Sequence, residues 1–98
     1  MKAYWITRCH VYNPNEYDEY IKLAGPAINK YGGTFLVRGG EQIELEGGPY
    51  ERTVLVEFNS MNEAKICYES SEYQEALKYS SNSSNRHVVL VEGVNQWS

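Results

Sequence analysis

A helix that has to stop, a strand that has to be buried and an arginine at that strand's end are written into ten consecutive residues, Tyr31-Gly32-Gly33-Thr34-Phe35-Leu36-Val37-Arg38-Gly39-Gly40. The first glycine pair supplies the left-handed backbone that ends a helix at little steric cost. The apolar run Phe35-Leu36-Val37 asks for a core. The second pair lets the chain bulge or turn where Arg38 emerges.

Upstream of this block, Ala3 to Val11 mixes aromatic and β-branched residues with polar ones in rough alternation and reads as a strand. Tyr4, Ile6, Arg8 and His10 share one of its faces, and Trp5, Thr7, Cys9 and Val11 the other. Asn13-Pro14-Asn15-Glu16 then opens a helix, with an amide acceptor at the cap, proline at the first helical position and a glutamate in capping-box register. Tyr17, Ile21, Ala24 and Ile28 mark its buried stripe. Gly25-Pro26 predicts a kink, because proline lacks a donor and clashes with the preceding turn. The helix then resumes to Tyr31.

Downstream, Thr34 to Arg38 reads as a strand that continues raggedly through Gln42 to Glu46, with a turn at Gly47-Gly48-Pro49. Arg52 to Phe58 is the third strand. Ser60-Met61-Asn62-Glu63 caps a second helix through about Tyr68. Ser70-Ser71 caps a short third helix from Glu72 to Tyr79. The run Ser80-Ser81-Asn82-Ser83-Ser84-Asn85 reads as loop, His87 to Val94 as the fourth strand, and the last four residues as a tail.

The order is therefore β-α-β-β-α-β with an extra helix, within one domain of 98 residues. Short connections and right-handed crossovers favour a four-stranded antiparallel sheet with the helices on one face. The other face needs explaining. Thr53 to Phe58 carries apolar residues on both sides, and Val88-Val89-Leu90-Val91 is apolar throughout, whereas a half-solvated strand alternates cleanly. A second copy of the chain is the most economical cover, which predicts a homodimer.

Composition narrows the functional classes. Thirteen acidic against nine basic residues give a net charge of −4, which offers no electrostatic footprint for nucleic acid or an anionic membrane. No apolar run is long enough to span a bilayer, and no secretory signal precedes the first strand. Cys9 and Cys67 lie far apart without metal or redox spacing, so free thiols in a reducing cytoplasm are expected. The glycine pairs form neither GxGxxG nor a P-loop, no serine sits in a nucleophile elbow, and His10 and His87 alone make a weak metal signal. No cofactor and no metal is called for.

The segments Met1-Lys-Ala-Tyr-Trp-Ile6, Tyr31 to Gly40, Glu57-Phe58-Asn59-Ser60, Tyr68-Glu-Ser-Ser-Glu-Tyr73 and Val91-Glu-Gly93 resemble the family called domain of unknown function 1330, and the resemblance runs nearly the whole chain. It implies a ferredoxin-like α+β fold that pairs into a dimeric α/β barrel, and it implies no established reaction. Cys67 stands where relatives often carry a tryptophan. Related dimeric barrels include cofactor-free monooxygenases and isomerases of small, often aromatic compounds, which makes a small-molecule site in each subunit the leading expectation. A non-catalytic structural or stress-associated dimer without a ligand pocket is the alternative.

Charged residues on apolar strands need partners or water, so they are the candidate site. Arg38 suits bidentate capture of a carboxylate; the plainer alternative is an ion pair with Glu57 on the adjacent strand. His10 suits general acid–base work near neutral pH, or a single structural hydrogen bond. Glu57 and Glu92 either orient His10 and the arginines or simply pair with them. His10 and Glu57 are thus the candidate catalytic residues, and Arg38, Arg8, Tyr4, Tyr20 and Glu92 the candidate substrate-binding ones. They form one site if they converge on the inner barrel face. Arg86, beside the Ser/Asn run, reads as a solvated loop arginine or a guard at a pocket mouth.

Overall fold

In the computed structural model, which describes residues 1–95, the chain runs β1 (Ala3–Val11), α1 (Pro14–Lys30), β2 (Thr34–Arg38), β3 (Arg52–Phe58), α2 (Met61–Glu69), α3 (Ser71–Ser80) and β4 (Ser84–Glu92). The strands form one antiparallel sheet in the order β2-β3-β1-β4 with the helices on one face. This is the ferredoxin-like arrangement. The sheet is open, with β2 and β4 at its edges, so a barrel does not describe the single chain.

The helix starts are local chemistry. Asn13 Oδ1 accepts from the Glu16 amide at 3.3 Å, Ser60 Oγ from Glu63 at 3.1 Å and Ser70 Oγ from Tyr73 at 3.2 Å. α1 ends where Gly32 takes φ +92°, and Gly33 then lets β2 leave closely under the helix: a Cβ there would lie 2.6 Å from Ile28 and 2.8 Å from Val56. Gly25-Pro26 does not interrupt α1. The proline removes one backbone hydrogen bond, while burial of Ala24, Ala27 and Ile28 holds both sides of it to the core.

Between sheet and helices lies an aromatic core. Trp5, 1% exposed, packs edge-on to Tyr73 at 4.7 Å and stacks on Phe58 at 6.1 Å. Register puts Trp5, Thr7, Cys9, Val54, Val56, Val88 and Leu90 on this helix face. Tyr4, Ile6, Arg8, His10, Leu55, Glu57, His87, Val89 and Val91 lie on the opposite, open face.

Two connections differ from expectation. Residues 39–51 are a long loop rather than a continuation of β2, because the loop's polar groups close on other partners. Gln42 bonds Thr53 Oγ1 at 2.6 Å and the Tyr50 carbonyl at 2.7 Å, and Glu44 accepts from Arg8 and the Tyr50 amide. The serine run is not a solvated loop either. Ser83 and Ser84 are buried, donate to the Tyr79 and Ser80 carbonyls at 2.6 and 2.8 Å, and bring β4 in at Ser84 rather than His87; β4 ends at Glu92, short of Val94. Of the expected tail, residues 96–98 lie outside the described residues.

Candidate functional site

The two faces of the sheet each carry a polar cluster, and the sequence candidates are divided between them. On the open face, Tyr4 donates to Glu57 at 3.2 Å, and Lys2 lies 3.7 Å from the same carboxylate. Arg8 donates to Glu44 at 3.0 Å and to the Tyr50 carbonyl at 3.3 Å. His10 Nδ1 meets Glu51 at 3.0 Å, and the same carboxylate accepts from the Val11 amide at 2.8 Å. Partial burial pushes the Glu51 carboxyl up, but the His10 and Val11 hydrogen bonds outweigh it and leave the group below its ordinary value. His87 meets the Tyr50 hydroxyl at 3.0 Å and stands opposite Arg8, two residues out of step with His10. Arg8 and Glu57 each have a partner of opposite charge, although Arg8 Nε is itself buried without one. Glu92 is exposed at the end of β4, opposite Ala3. No group of three or more His, Cys, Asp or Glu able to hold a metal is found among the described residues.

Arg38 and Tyr20 are on the other face. The expected convergence of Arg38 with Arg8, His10 and Glu57 therefore does not occur, and neither does an Arg38–Glu57 ion pair. The reason is a bulge at Leu36. Thr34 pairs with Glu57 and Phe35 with Val56, but Val37 then pairs with Leu55 and Arg38 with Val54. One extra residue reverses the alternation, so Arg38 points with Phe35 toward the helices instead of with Thr34 toward the open face.

There it closes a cavity between α1 and the sheet, floored by Trp5, Thr7 and Val56 and walled by Tyr17, Tyr20 and Phe35. The enclosed space is about 30 Å³, room for about one water. Arg38 stacks over Phe35 at 4.1 Å and rests against α1 at Gly25, where a Cβ would lie 2.6 Å from Nη2. In this position the guanidinium occupies space beside Gly25 that a larger residue there would displace it from. Its charge has no hydrogen bond or ion pair among the described residues.

Two further arginines share this face. Arg52 on β3 and Arg86 on β4 both pair with Cys9, one on each side of β1, so both point under α1. Arg52 lies over the Tyr17 ring at 5.8 Å, and Arg86 over the Tyr20 ring at 4.6 Å. Arg86 Nη2 donates to Tyr73 Oη at 2.9 Å, and the Tyr20 and Tyr73 hydroxyls meet at 2.7 Å. Arg52 Nε and Arg86 Nη1 are buried without a partner. No Asp or Glu lines the cavity. Burial drives the Tyr17 and Tyr73 phenols well above their ordinary value, so they remain neutral and cancel none of this positive charge.

Sequence reasoning passed over Arg52, Thr7 and Gly25 and favoured a solvated Arg86. A signal was present, since Cys9 and Arg52 sit on the apolar sides of their strands, but only the pairing register shows Arg52 and Arg86 flanking one residue.

An open four-stranded antiparallel sheet in the order β2-β3-β1-β4 with helices on one face defines a ferredoxin-like α+β protein. The family model described as a domain of unknown function, DUF1330, matches residues 2–94, and the chain belongs to that family. No curated protein matches it. Among solved structures, it is similar to a protein of unknown function from Rhodopseudomonas palustris, with TM-score 0.80, 14% identity and coverage of 96% of this chain and 83% of that one. It is also similar to SnoaB, a cofactor-independent oxygenase from Streptomyces nogalater (TM-score 0.66, 9% identity, 97% and 95% coverage). A dimeric ferredoxin-like protein of unknown function from Bacteroides fragilis matches with TM-score 0.62, 14% identity and 94% and 96% coverage.

Proposed function

We propose that this chain is a small-molecule-binding homodimer whose site in each subunit is the cavity between α1 and the sheet, not the inner face between two sheets. The observation that carries this reading is the cavity itself: aromatic walls converging on Arg38 and Arg52, which have no carboxylate partner among the described residues. His10 and Glu57 stand outside it, His10 hydrogen-bonded to Glu51 and Glu57 held by Tyr4 and Lys2. Arg38 and Tyr20 remain as ligand-contacting residues, joined by Arg52, Thr7 and Tyr17.

Homodimerisation is supported by the open face, where Val37, Val89 and Val91 are 40%, 52% and 44% exposed beside Ile6 and Leu55. The loop residues Ile43 and Leu45 are exposed as well, and the Bacteroides protein of the same fold is dimeric. Two buried free thiols suit a reducing compartment such as the cytoplasm. A cofactor-free oxygenase-like reaction on the bound molecule is the second reading. It is favoured by the likeness to SnoaB, which carries the fold alone.

Native mass spectrometry compared with the denatured mass of the same sample tests the proposal. A dimer with extra mass that is lost on denaturation is the expected result. A dimer that stays bare after incubation with small aromatic compounds favours a structural role, and a monomer removes the dimer.

A further inference from the structure

We propose that the molecule held in this cavity is a small planar organic anion, of the aromatic carboxylate class, gripped by Arg52 from the sheet and by Arg38 at the mouth. The proposal rests on the cavity being a ligand site and adds what the ligand must be.

The protein's own pairing of charges points to it. The chain has four arginines and five lysines against thirteen acidic residues, so carboxylates are in surplus. Lys2, Lys22, Lys30 and Lys78 each have a carboxylate partner, and so does Arg8. Among the described residues, the three arginines on the helix face have none. Arg38, Arg52 and Arg86 lie over rings instead, and a ring face is a weaker partner for a guanidinium than a carboxylate. Arg38 is exposed, but Arg52 and Arg86 are partly buried with Nε and Nη1 unpartnered; a cation taken out of water without a counter-charge is costly, and such a cost persists at places where it serves binding.

The shape adds the rest. Trp5, Tyr17, Tyr20 and Phe35 present flat apolar surface, which suits a ring. Thr7 Oγ1 accepts from Trp5 Nε1 at 3.1 Å, and its own proton is unengaged among the described residues, so it has a hydrogen bond to donate. A ring does not fit about 30 Å³, but Arg38, one of the residues lining the cavity, is exposed. Arg38 has no hydrogen bond to break, and its rotation out of the Gly25 notch opens the mouth and brings a cation to the entering anion.

The test compares benzoate with benzamide, which have nearly the same shape but differ in charge, on the full-length protein and on Arg52→Met. Binding is followed by amide shift changes at Thr7, Tyr20 and Arg38, and folding by thermal melting. The expected result is that benzoate perturbs these residues, that benzamide binds at least about tenfold more weakly, and that Arg52→Met loses benzoate while melting at a higher temperature. Equal binding of the two compounds, unaltered by Arg52→Met, overturns the anion and leaves the cavity standing. No perturbation by either compound overturns the cavity as a ligand site, and the anion with it. A lower melting temperature for Arg52→Met makes that arginine structural and overturns its role as a grip.

Discussion

The two faces of this sheet treat charge in opposite ways. On the open face, Arg8 and Glu57 are each matched to a partner of opposite sign, His10 is hydrogen-bonded to Glu51, and all of them are partly exposed. On the helix face, Arg38, Arg52 and Arg86 lie over rings and have no carboxylate partner among the described residues. Paired, half-exposed charges cost and contribute little, and they tell a reader where the chain is solvated. Arg38 is exposed, but Arg52 and Arg86 are partly buried, and an unpaired charge taken out of water is costly, so a sequence that keeps one does so for something outside its own fold. The difference separates residues that complete the structure from residues that await a ligand.

The largest effect expected from testing that contrast lies on the helix face. Tyr73 is fully buried, and its hydroxyl serves both Arg86 and Tyr20. Tyr73→Phe keeps the ring and removes that shared partner, taking from Arg86 the hydrogen bond that Nη2 makes to Tyr73. The cost should be about 1–3 kcal/mol, or several degrees of melting temperature in a domain of this size. A variant that melts with the parent would mean that the buried arginine is satisfied by water, and the contrast between the faces would collapse.

A smaller effect is expected across the sheet. Glu57→Gln removes the carboxylate that Tyr4 and Lys2 share, but the lysine is half exposed and the amide still accepts from Tyr4. The loss should stay below about 1 kcal/mol, with binding of an aromatic carboxylate unchanged. A loss of binding in urea-verified folded protein would move the site back to the open face, where the sequence had pointed.

Why the sequence pointed there is a matter of register. Asn13, Ser60 and Ser70 announce their helices because a cap is a contact between residues three apart, and the strand order follows from short connections. The face on which Arg38 lies depends on the bulge at Leu36, and a bulge is fixed by pairing with β3 some twenty residues away. Period-two alternation from Thr34 puts Arg38 with Glu57, and no local signal contradicts it. The serine run misled for the opposite reason. Serines favour loops because they compete for backbone groups, and here that competition is used inside the core to satisfy the last carbonyls of α3.

The smallest effect concerns a charge on neither face. Glu72, in the first turn of α3, bonds Lys30 at the end of α1, its own backbone, Tyr31 Oη at 2.9 Å and Ser71 Oγ at 3.1 Å. The Lys30 hydrogen bond comes first among the causes that hold its carboxyl down at about 2, against an ordinary 4.5. A carboxyl with a depressed folded-state value stabilises the fold at pH above its unfolded value, and this contribution fades as pH falls through the folded one. The α1–α3 clasp should therefore weaken between about pH 4.5 and about pH 2. Melting temperatures of parent and Glu72→Gln should differ at pH 6 and converge toward pH 2. Glu72 is exposed to solvent, so the gap at pH 6 should be small and should shrink further in salt. A large, salt-insensitive gap would show that a solvent-facing clasp holds the helices more strongly than the Arg86–Tyr73 contact does, and the ranking of the two kinds of charge would be reversed.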